Sequence, residues 1–252
     1  MYVQICLVTM ALAALALFAV LDPSSGGADR ARIDRQGSSP FLGRLPIEFA
    51  YWLLAPAARL AAWLELSPNV SSWACLILGI GSGIAAGAGA IPLAGALIII
   101  SALCDMLDGM VARFRSVASD AGEVLDAAVD RYAEFFFLAG LCVYYRHRLW
   151  VMAIMQAALL GSMLVSYSQA KAEAMHIDTP RCWMRRPERA LYLGGGAFLS
   201  PMVTVWLEAG QPQPVHYPLL VAGLVVAVFS NVAAIRRFVA LYATVKIRGD
   251  SR

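Results

Sequence analysis

The stretch CDMLDGMVARFRSVASDAGEVLDAAVD, residues 104–130, sets four aspartates into a chain that is otherwise mostly hydrocarbon. On a helix, Asp105, Asp108, Gly109, Ala112 and Arg113 fall at i, i+3, i+4, i+7 and i+8, one stripe of one face. Gly122, Asp126 and Asp130, at i, i+4 and i+8, form a second stripe on the helix that follows. Two neighbouring antiparallel helices can turn these stripes toward each other. Carboxylates gathered in this way repel one another unless cations neutralise them. A donor set made only of oxygen selects a hard divalent ion, Mg²⁺ or Mn²⁺, and four carboxylates suffice to bridge two ions. A pair of such ions suits phosphoryl transfer, because it stabilises both the attacking and the leaving oxygen. Gly109, Ala112 and Gly122 leave room for a bulky phosphorylated ligand, and Arg113 offers a planar fork to phosphate oxygens. Spacing alone leaves a second reading open: four solvated helix-end acids that share a face.

The elements that must carry these residues are read from hydropathy. The 252 residues are 60% hydrophobic and 15% charged, against about 25% charged in an ordinary soluble domain. Seven apolar segments, at about 2–21, 72–90, 92–111, 125–145, 149–170, 190–207 and 217–240, each approach the roughly 20 residues that cross a bilayer. The expected fold is therefore an all-α integral membrane protein. It comprises an anchor helix over 1–21, a flexible cytoplasmic linker over 22–44 and a membrane domain over 45–248. The first segment lacks a basic n-region and an A-x-A site, which favours an anchor over a cleaved signal peptide. Residues 45–66 are apolar but interrupted by Glu48, Pro56, Arg59 and Glu65, with Tyr51, Trp52 and Trp63 as amphipathic anchors. That pattern predicts an interfacial helix, followed by six spanning helices over 70–245. Asp105 and Asp108 lie near the end of one span, and Asp126 and Asp130 near the start of the next, so all four meet at one mouth. Arg113, Arg115, Lys171, Arg181, Arg185, Arg186, Arg189, Arg236, Arg237, Lys246, Arg248 and Arg252 flank that same side, whereas Arg146 and Arg148 flank the other. The asymmetry predicts that the mouth faces the cytoplasm.

The motif D-x2-D-G-x2-A-R-x8-G-x3-D-x3-D, from Asp105 through Asp108, Gly109, Ala112, Arg113, Gly122 and Asp126 to Asp130, resembles the signature of the CDP-alcohol phosphotransferase (phosphatidyltransferase) family at all eight fixed positions. The likeness in segment layout covers about residues 45–245. It implies that Asp105, Asp108, Asp126 and Asp130 hold two Mg²⁺ or Mn²⁺ ions, with Asp130 also the general base. It implies that Asp108, Gly109, Ala112, Arg113 and Gly122, with Pro68 and Asn69, surround the nucleotide and its diphosphate. The implied reaction transfers a phosphatidyl group from CDP-diacylglycerol to an alcohol, releasing CMP for phospholipid biosynthesis. The implied setting is a homodimer in a prokaryotic inner or cell membrane, with no nucleic-acid partner.

The run SYSQAKAEAMHIDTPRCWMRRPERALYL, residues 166–193, resembles that of phosphatidylinositol phosphate synthases. It implies an acceptor site of Ser166, Lys171, Arg186 and Arg189, joined by Arg236 and Arg237. Cations at the mouth suit an acceptor that already carries a phosphate, although anionic headgroups would attract the same charges. Gln169 stands where such relatives place a Lys, so inositol phosphate competes with glycerol 3-phosphate as the acceptor. Two other classes are weighed on chemistry. A cation carrier would need acids on the far side as well, and a membrane prenyltransferase would repeat its aspartate cluster in a second helical pair. The stripe of Gly79, Gly83 and Gly87 predicts close helix packing. Five scattered cysteines and three scattered histidines show no metal-ligand spacing.

Overall fold

A computed structural model describes residues 2–21, 45–65, 68–114, 120–180 and 183–250. Helices α1 (Tyr2–Leu21), α2 (Leu45–Trp63), α3 (Pro68–Gly87), α4 (Ile91–Phe114), α5 (Asp120–Tyr144), α6 (Leu149–Ala174), α7 (Arg186–Leu207) and α8 (Tyr217–Asp250) account for nearly all of them, and the described residues include no strand. The linker expected over 22–44 lies outside the described residues, as do Arg115, Arg181 and Arg252. Several boundaries follow from residue chemistry. Pro92, Pro187 and Pro218 each take the second position of a helix, where the missing N–H has no intrahelical acceptor to lose. Gly89 and Gly210 turn the chain at φ +83° and +80°, a region that side chains disfavour. At the start of α7 the Arg185 N–H donates to Glu188 Oε2 at 3.0 Å, closing the first turn.

Among the described residues, five helices are long and apolar enough to cross a membrane: α3 over Val70–Gly87, α4, α6, α7, and α8 over Tyr217–Arg248. The sixth expected core span, α5, is 25 residues long but holds Asp120, Glu123, Asp126, Asp130, Arg131 and Glu134 between its start and residue 134. Its charge, not its length, sets it apart, and packing shows its place. Glycine and alanine let α3 and α5 run parallel in near backbone contact. A Cβ built on Gly83 would lie 2.4 Å from the Phe136 carbonyl oxygen, and one on Gly79 would lie 2.5 Å from Ala133. The stripe expected to mediate close packing does so, against α5. Serines and an asparagine add polar ties inside the bundle: Ser82 Oγ donates to Ala94 O at 2.8 Å and Asn231 Nδ2 to Ala157 O at 2.8 Å. Such bonds contribute about 0.6 kcal/mol each in membrane proteins.

The remaining contacts set the frame. Helix α4 also packs on α3 and α7, α6 pairs with α8, and α8 touches α7. The largest core cluster includes Ile91, Phe137, Leu141, Met155, Leu193 and Leu219. Helices α3, α5 and α7 begin at the end where α4, α6 and α8 reach the aspartates. The opposite end is closed by Glu208, whose carboxylate accepts the Val215 and His216 N–H groups at 2.5 and 3.0 Å. Helix α2, expected to lie in the membrane interface, packs Ala58 and its neighbours on Met110 and Val111 of α4, and leaves Leu53, Leu60 and Trp63 exposed. Helix α1 runs from α7, where Gln4 donates to Phe198 O at 3.2 Å, to α2, where Phe18 meets Phe49 and Trp52.

Candidate active site

Helix α4 delivers Asp105 and Asp108 one turn apart, and α5 delivers Asp126 from the facing helix. One carboxylate oxygen of each lies within 4.8 Å of the others, the only group of three or more such ligands among the described residues. Asp108 is buried and receives a hydrogen bond from Ser72 Oγ of α3 at 3.2 Å. Ser71 Oγ donates to Cys104 O at 2.9 Å, and Ser101 Oγ to Cys75 O at 3.0 Å, so with the Ser72–Asp108 bond three bonds pin α3 to the aspartate-bearing half of α4. Oxygen-only donors at this spacing fit a hard divalent cation. Ser71 and Ser72 were missed in the sequence; two serines after a helix start read as capping, and nothing local shows which helix they face.

Asp130 stands one turn beyond Asp126 and outside the three-carboxylate group. Its Oδ1 lies 2.5 Å from Arg186 Nη1, and the same nitrogen lies 2.5 Å from Asp105 Oδ2. Arg186 thus ties the first turn of α7 to both α4 and α5. Arg113 lies above the Tyr51 ring, 5.9 Å from its centroid, so α2 helps to place it. A Cβ on Gly109 would come within 3.2 Å of Arg113 Nη1; the glycine gives the guanidinium its space. Ala112 and Gly122 are half-buried on the two stripes. The side chains of Pro68 and Asn69 lie outside the described residues.

Beside the aspartates opens a cleft of about 910 Å³, lined from α5, α6, α7 and α8. Of the residues expected to bind the acceptor, Ser166, Arg186, Arg189 and Arg237 line it. Arg186 belongs to both the cleft and the carboxylate cluster. Arg189 spends its guanidinium inward, with Nε and Nη2 on Glu134 at 2.6 and 2.8 Å and Nη1 on Met184 O at 3.1 Å. Lys171 and Arg236 are not among the lining residues. Successive residues leave a helix about 100° apart, so Arg236 and Arg237 cannot face the same way, nor can Lys171 follow Gln169 inward. Arg236 instead lies over the Trp183 ring, 4.0 Å from its centroid. Arg131 and Arg185 line the cleft although neither was expected there. Arg131 fell on no recognisable run, and Arg185 read as one of several charges that hold a protein to headgroups.

The profile of the CDP-alcohol phosphatidyltransferase family matches residues 65–240. A bifunctional IPC transferase and DIPP synthase of Rubrobacter xylanophilus is 34% identical over 177 residues, 70% of this chain and 37% of its own. An archaetidylinositol phosphate synthase of Aeropyrum pernix is 33% identical over 60% of this chain and 66% of its own. The chain thus spans less than two thirds of the length of each of these two relatives. It covers 88% of the phosphatidylinositol phosphate synthase of Mycobacterium tuberculosis, at 32% identity over 79% of this chain. Crystal structures of the Mycobacterium tuberculosis phosphatidylinositol phosphate synthase are similar in fold. One with CDP-DAG bound has a TM-score of 0.63 at 25% identity, over 74% of this chain and 92% of that one. Another is a complex with manganese and citrate, also at a TM-score of 0.63.

Proposed function

The chain belongs to the CDP-alcohol phosphatidyltransferase family, a family of transferases, and from that premise we propose that it moves a phosphatidyl group from CDP-diacylglycerol to a phosphorylated polyol, inositol phosphate first among them. One observation carries this reading: Arg186 joins the carboxylate cluster to an arginine-lined cleft that could hold a second, anionic substrate.

Asp105, Asp108 and Asp126 would hold the divalent metal, Mg²⁺ or Mn²⁺, with Asp130 completing a site for two ions. Bound there, the metal supplies charge neutralisation for the diphosphate and for the oxygens that exchange at phosphorus. Ser72 orients Asp108 by its hydrogen bond. Arg113, spread over Gly109 and held by Tyr51, faces the donor phosphates. Asp130 takes the proton of the acceptor hydroxyl. The acceptor oxygen forms a bond to the phosphorus that bears the diacylglycerol, the bond from that phosphorus to the CMP oxygen breaks, and CMP leaves. Ser166, Arg131, Arg185, Arg186 and Arg237 position the acceptor, and Lys171 and Arg236 contribute rim charge. A homodimer, an active site facing the cytoplasm and a prokaryotic cell membrane belong to the same proposal, and the basic bias at the aspartate end supports that orientation.

The test is CMP release by purified protein with CDP-diacylglycerol and Mg²⁺ or Mn²⁺, run in parallel with inositol phosphate, glycerol 3-phosphate, serine and inositol. Turnover with inositol phosphate is the expected result. Turnover only with glycerol 3-phosphate replaces the acceptor, and no CMP from folded protein with any acceptor overturns the reading.

A further inference from the structure

Gln169, Glu173 and Arg237 line one wall of the cleft, the first two one turn apart on α6 and the third on the parallel helix α8. Gln169 Oε1 accepts a hydrogen bond from Arg237 Nη2, and Gln169 Nε2 donates to Glu173 Oε1. Arg237 is buried, and its Nε donates to Pro180 O at 3.2 Å. Only one orientation of the amide fits both neighbours, because its oxygen can meet only the cation and its nitrogen only the anion. A cation and an anion on the same wall would otherwise pair directly, and a carboxylate binds guanidinium in two parallel bonds.

We propose that Gln169 is the positioning residue that keeps Arg237 available to a phosphorylated acceptor, by standing between its guanidinium and the Glu173 carboxylate and occupying both. The inference rests on the reading that this cleft takes the acceptor. A neutral amide is suited to the task. It holds the guanidinium without cancelling its charge, and it engages Glu173 so that the carboxylate neither captures Arg237 nor turns toward the incoming phosphate. With a side chain that has no hydrogen-bonding groups, Arg237 falls onto Glu173 and the acceptor meets a neutral pair.

The experiment measures acceptor KM, kcat and CDP-diacylglycerol KM for wild type, Gln169→Leu and the double variant Gln169→Leu/Glu173→Gln. Gln169→Leu is expected to raise acceptor KM about tenfold, with kcat and donor KM changed less than about twofold. Adding Glu173→Gln removes the competing anion and is expected to return acceptor KM to within about threefold of wild type. A filler of space alone would not be rescued in this way. Should the leucine variant fail to fold, Gln169→Glu keeps the shape and cancels the Arg237 charge. It is expected to raise acceptor KM to a similar extent, with no relief from Glu173→Gln. An unchanged acceptor KM in Gln169→Leu, or in Gln169→Glu where that variant is the one used, overturns the inference, as does a Gln169→Leu defect that persists undiminished in the double variant. Wild type that turns over no phosphorylated acceptor overturns the functional reading instead, and that result is in hand before any variant is made.

Discussion

The Arg189 guanidinium and the Glu134 carboxylate meet in two parallel hydrogen bonds, of 2.6 and 2.8 Å, between α7 and α5. Arg189 is 2% exposed, so the pair lies inside the bundle, with the Met184 carbonyl accepting from the remaining nitrogen. Breaking such a pair strands a buried charge, at a cost of about 3–5 kcal/mol. Arg189→Met is therefore expected to lower the thermal unfolding midpoint in detergent before it changes recognition. A variant of wild-type stability whose only defect is a raised acceptor KM would return Arg189 to the acceptor site.

Asp130 lies outside the group formed by Asp105, Asp108 and Asp126. As proton acceptor it should matter to turnover more than to metal. Asp130→Asn is expected to leave the Mn²⁺ concentration for half-saturation within about threefold, while kcat falls by about 10³. Manganese binding followed by calorimetry, beside CMP release, separates the two; equal losses in both would make Asp130 principally a ligand.

Ser72 reaches Asp108 from a third helix at 3.2 Å. Partners of metal ligands typically contribute about 10–100-fold to affinity or activity. Ser72→Ala should raise the metal concentration for half-maximal activity by about tenfold, and excess metal should restore the rate. Dialysis against a chelator should abolish CMP release in wild type, and either ion should restore it.

Packing makes a contrast between two glycines. At Gly83 a Cβ would sit 2.4 Å from the Phe136 carbonyl oxygen, whereas at Gly195 nothing lies within 4 Å. Gly83→Ala should destabilise by about 1–3 kcal/mol through forced separation of α3 and α5. Gly195→Ala should be neutral or slightly stabilising, as alanine exceeds glycine in helix propensity by about 1 kcal/mol. Thermal melts of the two single variants decide the point.

His216 closes the end of the bundle away from the aspartates, where Thr204 Oγ1 and Tyr144 Oη lie 3.3 Å from its two ring nitrogens. Burial pushes its pKa below the ordinary 6.5, while the Glu208 carboxylate pulls the other way. A histidine held neutral when folded binds fewer protons than when unfolded. Its stabilising share is therefore full above about pH 6.5 and is lost as pH falls below that value. Unfolding midpoints should drop between about pH 7 and pH 5, and His216→Asn, which also tolerates the positive φ of 58°, should flatten that slope.

Much of the molecule was legible in the chain because the signals are local. Apolar runs located the helices, and the observed elements extend them mainly at their polar ends, as α8 does to Asp250. The i, i+3 spacing of Asp105 and Asp108 placed two carboxylates on one face, and the stripe through Asp126 brought the third; the structure gathers these three. Helix α5 was legible from its apolar half, 125–145, and that half packs along α3; its acids extend the helix back to Asp120.

The arginines divide the two levels most clearly. Sequence alone determined that cations collect at the aspartate end, because charge counts along a chain need no coordinates. Only the tertiary structure decided what each cation touches: Arg186 between Asp105 and Asp130, Arg189 on Glu134, Arg236 on Trp183, and Arg237 on Gln169. Neighbouring residues leave a helix about 100° apart. Their partners therefore depend on how each helix is rotated against the others, and that rotation is set by packing such as Gly83 on Phe136, between residues far apart in the chain.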